Sequence, residues 1–209
     1  PVVTPNVAAI RTLDGRIFGL DRETGKRKWI YQRILPSLIL RSAAPMLLAE
    51  DYLFVGYPGG KLIALQHEKG ALVFEESVST PRGDNELERL TDVSSKPVLY
   101  ESQVCVGAYQ GRVGCFNLRG GAAMWFKELS ASAGVAMDGS AVYVAADDGY
   151  LYALDKDLGT EKWKVEVLAG DRLVRPVVSN DYIVVGDSFG FLHFFSRASG
   201  TFAGRLSVD

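Results

Sequence analysis

The chain has 209 residues, enough for a sizeable core either as one β domain or as part of a larger one. Apolar residues at 47% and charged residues at 23% are ordinary for a globular protein, and no apolar run reaches the roughly 20 residues of a membrane-crossing helix. The net charge of −2, with Lys and Arg scattered, argues against a surface that tracks phosphates, so nucleic acid is not an expected partner.

In chain order, the first strand is expected at Pro1-Val2-Val3, fourteen residues before a turn glycine, Gly15. Ten residues on, Gly25 marks a second turn, and four beyond it Trp29 opens a fourth strand. This register returns as Gly60, Gly70 and Phe74, then Gly111, Gly121 and Trp125, then Gly149, Gly159 and Trp163. A fifth copy, Gly190, Gly200 and Gly204, has lost its aromatic. The clearest hairpin is "AVYVAADDGYLYALD" (Ala141 to Asp155), two β-branched and aromatic runs around an Asp-Gly turn. Ahead of the last copy, "PVVSNDYIVVG" (Pro176 to Gly186) reads as a short strand opened by Pro, a polar turn and a second strand. Each copy is thus four antiparallel strands. Helical periodicity of any length is absent.

Units of this size, stacked radially, make the blades of a β-propeller, because a single four-stranded sheet has two faces that its neighbours must cover. The expected fold is all-β, with five consecutive blades at about 1–44, 45–96, 97–133, 134–175 and 176–209, cut from a larger ring. Trp29, Phe74, Trp125 and Trp163 are expected as wedges between blades. Cys105 and Cys115 flank the third hairpin turn nearly symmetrically and have no metal-ligand spacing. The preferred reading is two small buried apolar side chains, and the alternative is a bridge inside one hairpin.

The links between copies are unequal. Trp125 is nine residues from Gly134 and Trp163 thirteen from Pro176, but Trp29 is sixteen from Pro45 and Phe74 twenty-three from Pro97. The two longest are consecutive, so in a propeller they lie side by side on one face, where binding residues on a rigid scaffold usually sit. In the first, "SLILR" read as extended chain puts Leu38 and Leu40 on one side and Ile39 and Arg41 on the other. The second carries Asp84, Glu86, Glu88, Arg89 and Asp92. Apolar side chains rimmed by charge suit a protein-binding patch. The competing reading has the leucines packed inward as a plug.

The unit "YLYALDKDLGTEKW" resembles the tryptophan-motif blade of the pyrroloquinoline-quinone (PQQ) dehydrogenase-like propellers, which are usually eight-bladed. The stretches "LPSLILRSAAP" (Leu35 to Pro45) and "ELERLTDVSSKPV" (Glu86 to Val98) narrow this to the BamB family of outer-membrane β-barrel assembly lipoproteins, whose interblade segments they resemble in the same order. The resemblance implies a non-catalytic scaffold without cofactor, on the periplasmic face of the outer membrane. It would be lipid-anchored through a cysteine outside this chain and would bind the periplasmic POTRA region of BamA. Leu38, Leu40 and Arg41 match the family's Leu-x-Leu-Arg, and Asp92 matches the first aspartate of its Asp-Val-Asp. Ser94 stands at the second aspartate, which weakens any ionic contact there. Unfolded outer-membrane proteins, paired along strand edges, are a further implied partner.

Two rival readings are a PQQ-dependent dehydrogenase fragment and a generic propeller module for another envelope partner. The superfamily's enzymes need the quinone, a calcium ion and an aspartate base, and many carry adjacent cysteines, which this chain lacks. His67 and His193 fall in expected third strands and read as packing or surface residues. "DKDLG" (Asp155 to Gly159) resembles the start of a calcium loop but lacks the later ligands, and as a turn it needs Asp and Gly for backbone reasons.

Overall fold

The structure, a computed structural model, is described for residues 1–40, 44–167 and 172–208. Those residues form five four-stranded antiparallel sheets, each a meander in chain order. Sheet one is β1 (Val2–Val3), β2 (Val7–Arg11), β3 (Ile17–Asp21) and β4 (Arg27–Tyr31). Sheet two is β5 (Leu47–Ala49), β6 (Tyr52–Tyr57), β7 (Lys61–Gln66) and β8 (Leu72–Ser77). Sheet three is β9 (Val98–Tyr100), β10 (Gln103–Gly107), β11 (Val113–Asn117) and β12 (Ala122–Lys127). Sheet four is β13 (Val135–Met137), β14 (Ala141–Ala145), β15 (Tyr150–Asp155) and β16 (Glu161–Glu166). Sheet five is β17 (Val177–Ser179), β18 (Tyr182–Gly186), β19 (Phe191–Ser196) and β20 (Phe202–Ser207).

Successive side chains of a strand point to opposite faces, and here the two faces serve two different cores. Leu53 and Val55 of β6 pack with Val7 and Ile17 of sheet one, while Phe54 between them packs with Val104 and Phe116 of sheet three. Sheet four divides in the same way, Val142 and Val144 facing sheet three and Tyr143 and Ala145 facing sheet five. Hence β10 and β14 are buried along their whole length, as a strand covered on both faces must be. The fourth strands β8, β16 and β20 are largely exposed. This is blade packing, and the all-β propeller architecture expected from the repeat is what the chain adopts.

The repeat position expected to open each fourth strand, aromatic in four of the five copies, sits inside it, just after a feature the repeat did not reveal. In every sheet the pairing of third and fourth strands slips by one residue immediately before that position, between Gly19 and Leu20 in sheet one and Ala153 and Leu154 in sheet four, for example. A bulge of this kind turns the strand and re-aims the next side chain. The indoles of Trp29, Trp125 and Trp163 consequently cross to the next sheet, where they donate to the carbonyls of His67 (3.0 Å), Lys156 (2.8 Å) and Arg197 (3.1 Å).

The cysteines correct the preferred sequence reading. Cys105 and Cys115 are both fully buried, as expected, but they are joined in a disulfide. They are directly opposed residues of β10 and β11, with Cα atoms 4.2 Å apart. Their near-symmetry about the turn was the signal, and a buried apolar environment does not prevent a bridge between facing strands.

Candidate functional site: two linked connectors on one face

Strand direction alternates within each meander. The second-to-third strand turns and the links between sheets therefore emerge at the same end of every sheet, and hydrogen bonds tie the two sets together. Gln110 N donates to Ser130 Oγ (2.9 Å), and Ser132 N donates to Asp147 Oδ1 (3.1 Å), each joining a link to a hairpin turn. The two longest links span 32–46 and 78–97.

The second link has an anchored half and an outward half. In the anchored half, Thr91, Asp92, Val93 and Ser95 are buried. Asp92 forms isolated antiparallel bridges to Pro58 and Tyr109, lying between the turns of sheets two and three. Its Oδ1 accepts from Gly59 N (3.0 Å) and its Oδ2 from Leu40 N (2.6 Å), 52 residues away in the first link. Burial pushes the Asp92 carboxyl above its ordinary range, an effect partly offset by these two N–H donors and by the charge of Arg11. Arg11 itself lies over the Tyr57 ring at 4.6 Å and donates from Nη1 to Ala44 O (3.2 Å). Burial lowers its pKa, against the opposing pull of Tyr57 and Asp92.

Asp92 is only 3% exposed, and its two carboxylate oxygens hold two backbone amides in place. The resemblance assigned it to a partner-contacting set, and the sequence offered no sign that it would be internal.

In the outward half every residue from 81 to 89 is exposed. A single turn caps itself there: Glu88 N donates to Asn85 Oδ1 (3.0 Å), Asn85 Nδ2 to Glu88 Oε1 (2.8 Å) and Asp84 N to Glu88 Oε2 (2.8 Å). The turn carries Leu87 at 69% exposure. From the facing link, Ser37 Oγ donates to Glu86 Oε1 at 3.1 Å. A groove of about 220 Å³ lies between the links, lined by Pro36, Leu38, Glu86, Arg89 and Asp92 among others.

In the first link, Leu35 packs on the core shared by sheets one and two, whereas Leu38 and Leu40 join none of the four core clusters. Leu38, Ile39 and Leu40 are all half-buried, so the expected two-sided alternation is not kept. The chain bends at Ser37 and Leu38, which breaks the period of two, and Asp92 then pins the amide of Leu40. Arg41 lies outside the described residues. Ile34 is 97% exposed, and at the same end Leu13 in the first hairpin turn is 75% exposed. Sequence reasoning missed Ile34, Leu87 and Leu13. Their signal was an apolar residue in a stretch otherwise polar or built for a turn.

His193 is in β19 as expected, buried, with Nε2 2.8 Å from Asp187 Oδ2. His67 lies in the turn just after β7 rather than within a strand. In "DKDLG", Asp155 Oδ1 accepts from Asp157 N and Leu158 N, both at 3.0 Å, so this carboxylate stabilises its own turn and is pulled below the ordinary range mainly by those amides. Among the described residues, no three His, Cys, Asp or Glu side chains cluster as a metal-binding group.

A family model described as outer membrane protein assembly factor BamB matches residues 1–165. The curated outer membrane protein assembly factor BamB of Bordetella pertussis is 40% identical over 209 residues, covering 100% of this chain and 54% of that protein. The chain spans about half the length of the curated relatives it matches. Among solved structures, BamB from Moraxella catarrhalis superposes with a TM-score of 0.93 at 27% identity, over 99% of this chain and 62% of that one. A europium-containing methanol dehydrogenase superposes with a TM-score of 0.72 at 14% identity, over 98% of this chain and 50% of that one, a likeness of fold alone.

Proposed function

This chain belongs to the BamB family of outer membrane protein assembly factors, and from that premise we propose that it is a non-catalytic scaffold whose two long links bind the periplasmic POTRA region of BamA. The observation that carries this reading is the coupling of the links. Asp92 ties the amide of Leu40 to the turn at Gly59, and Ser37 meets Glu86, so two distant segments are held as one surface. A preorganised surface loses less conformational freedom on binding. Leu38, Leu40 and Leu87 supply the apolar contact, Arg41 and the acidic rim supply register, and Asp92 acts from behind as a positioning residue.

The proposed setting is the periplasmic face of the outer membrane. The buried Cys105–Cys115 bridge supports it, because disulfides persist in oxidising compartments. The enzyme names among the fold's neighbours carry no weight for function, since one propeller fold hosts many activities.

Full burial of a leucine contributes about 1.5–3 kcal/mol; Leu40 is already half-buried, so covering the rest contributes about half of that, or roughly 4- to 12-fold in affinity. Leu40→Arg, which adds a charge without placing a second carboxylate beside Asp92, should therefore lower retention of purified BamA POTRA fragments by the full-length protein by at least that factor. Its melting temperature should stay within about 2 °C of the parent. Undiminished retention would overturn the proposal, and so would a loss of retention matched by a loss of folding.

A further inference from the structure

Four junctions join the five sheets, and three of them use one device. At these three the indole lies on a glycine of the next sheet so closely that an added Cβ would come within 2.5 Å of the ring at Gly70, 2.6 Å at Gly159 and 2.7 Å at Gly200. The indole N–H then reaches the carbonyl of the first residue after that sheet's third strand, namely His67, Lys156 or Arg197. Leu118 holds that place in sheet three. Its N–H donates to Ser102 O just as those of His67, Lys156 and Arg197 donate to Asp51, Ser140 and Asp181.

The second junction departs from the pattern. The Phe74 side chain has no N–H to offer, and its ring turns edge-on to Phe116, 5.9 Å away. A Cβ on Gly121 would meet nothing within 4 Å, although its φ of 66° matches the 67–71° of the other three glycines. A mainly apolar cavity of about 570 Å³ opens at this place, lined by Tyr52, Phe74, Leu99, Leu118 and Gly121 among others. That volume lies within the usual range of ligand sites. The backbone platform for an indole is thus present, while the chain's own side chain does not occupy it.

We propose that the cavity between sheets two and three is a binding site for an indole-class aromatic ring, stacked over Gly121 and donating its N–H to the Leu118 carbonyl. The ring can come from a free small molecule or from a tryptophan residue of another polypeptide.

The test is thermal melting of the chain with indole, 1-methylindole and N-acetyltryptophanamide, together with amide chemical-shift mapping. Indole should raise the melting temperature with concentration by about 2–4 °C at saturation. 1-Methylindole, which lacks the donor, should bind about 5-fold more weakly. Shifts should centre on Leu99, Leu118 and Gly121. Phe74→Trp should melt higher than the parent and no longer respond, and if this variant does not fold, the mapping on the parent chain decides. Binding of N-acetyltryptophanamide as tightly as indole supports a polypeptide source, and binding of indole alone supports a small molecule. An equal response to 1-methylindole, shifts centred elsewhere, or an undiminished response in folded Phe74→Trp would overturn the proposal.

Discussion

The junction at Trp125 and the paired links at Asp92 are built from opposite materials. At Trp125 one aromatic side chain, re-aimed by a bulge, joins two sheets through a buried apolar core and a single hydrogen bond to Lys156. At Asp92 a buried carboxylate joins two links through backbone amides, with a groove and exposed apolar side chains outside it. The first arrangement recurs and serves stability. The second occurs once among the described residues and leaves Leu87 and Ile34 uncovered, as a stable core would not.

The largest effect is expected at the junction. Trp125→Ala removes a large buried ring and its hydrogen bond and should cost about 3–5 kcal/mol in denaturant unfolding. A loss below about 1 kcal/mol would show that the wedge does not hold the sheets. Next, Cys105→Ala with Cys115→Ala removes a short-loop crosslink from the same core and should cost about 2–3 kcal/mol, provided the parent is oxidised. Mass measurement before and after thiol alkylation checks that condition.

The links should respond differently. Asp92→Ala leaves the amides of Leu40 and Gly59 without their acceptor and should cost about 1–2 kcal/mol, with faster hydrogen exchange at those two positions and not at Lys156. Asp92 also sets a pH signature. Its carboxyl is raised in the folded state, so the proton is held more tightly there than in the unfolded chain. Its favourable contribution is complete below the ordinary carboxylate range and is lost as pH rises through the raised value. Measured against Asp92→Asn, the parent should therefore lose relative stability over that interval, and a flat difference would mean the carboxylate is not strained by burial. Smallest of all, Leu87→Asp should change unfolding by no more than about 0.5 kcal/mol, because the side chain is already in water.

Much of the fold was legible because it is local and repeated. Each Asp-Gly or Thr-Gly turn, each alternating run and each aromatic could be read within one copy, and five copies reinforced one another. The bulge was not legible, because it depends on how two strands pair rather than on which residues they contain. The two cysteines marked a hairpin, but whether they bridge depends on their being directly opposed. The links were visible as irregular spacing, and their adjacency followed from the topology. The direction of each side chain within them did not follow, since a bend at Ser37 cancels the alternation on which such a reading rests.

By itself, the sequence determined the number of sheets, their internal order and the positions of the wedges, because hydrophobic periodicity and turn chemistry act over a few residues. Only the tertiary structure decided that Asp92 turns inward to hold Leu40, that Leu87 faces out, and that Phe74 leaves space where its three counterparts leave none. Those outcomes depend on segments tens of residues apart meeting in space, where burial and unpaired amides determine which groups pair.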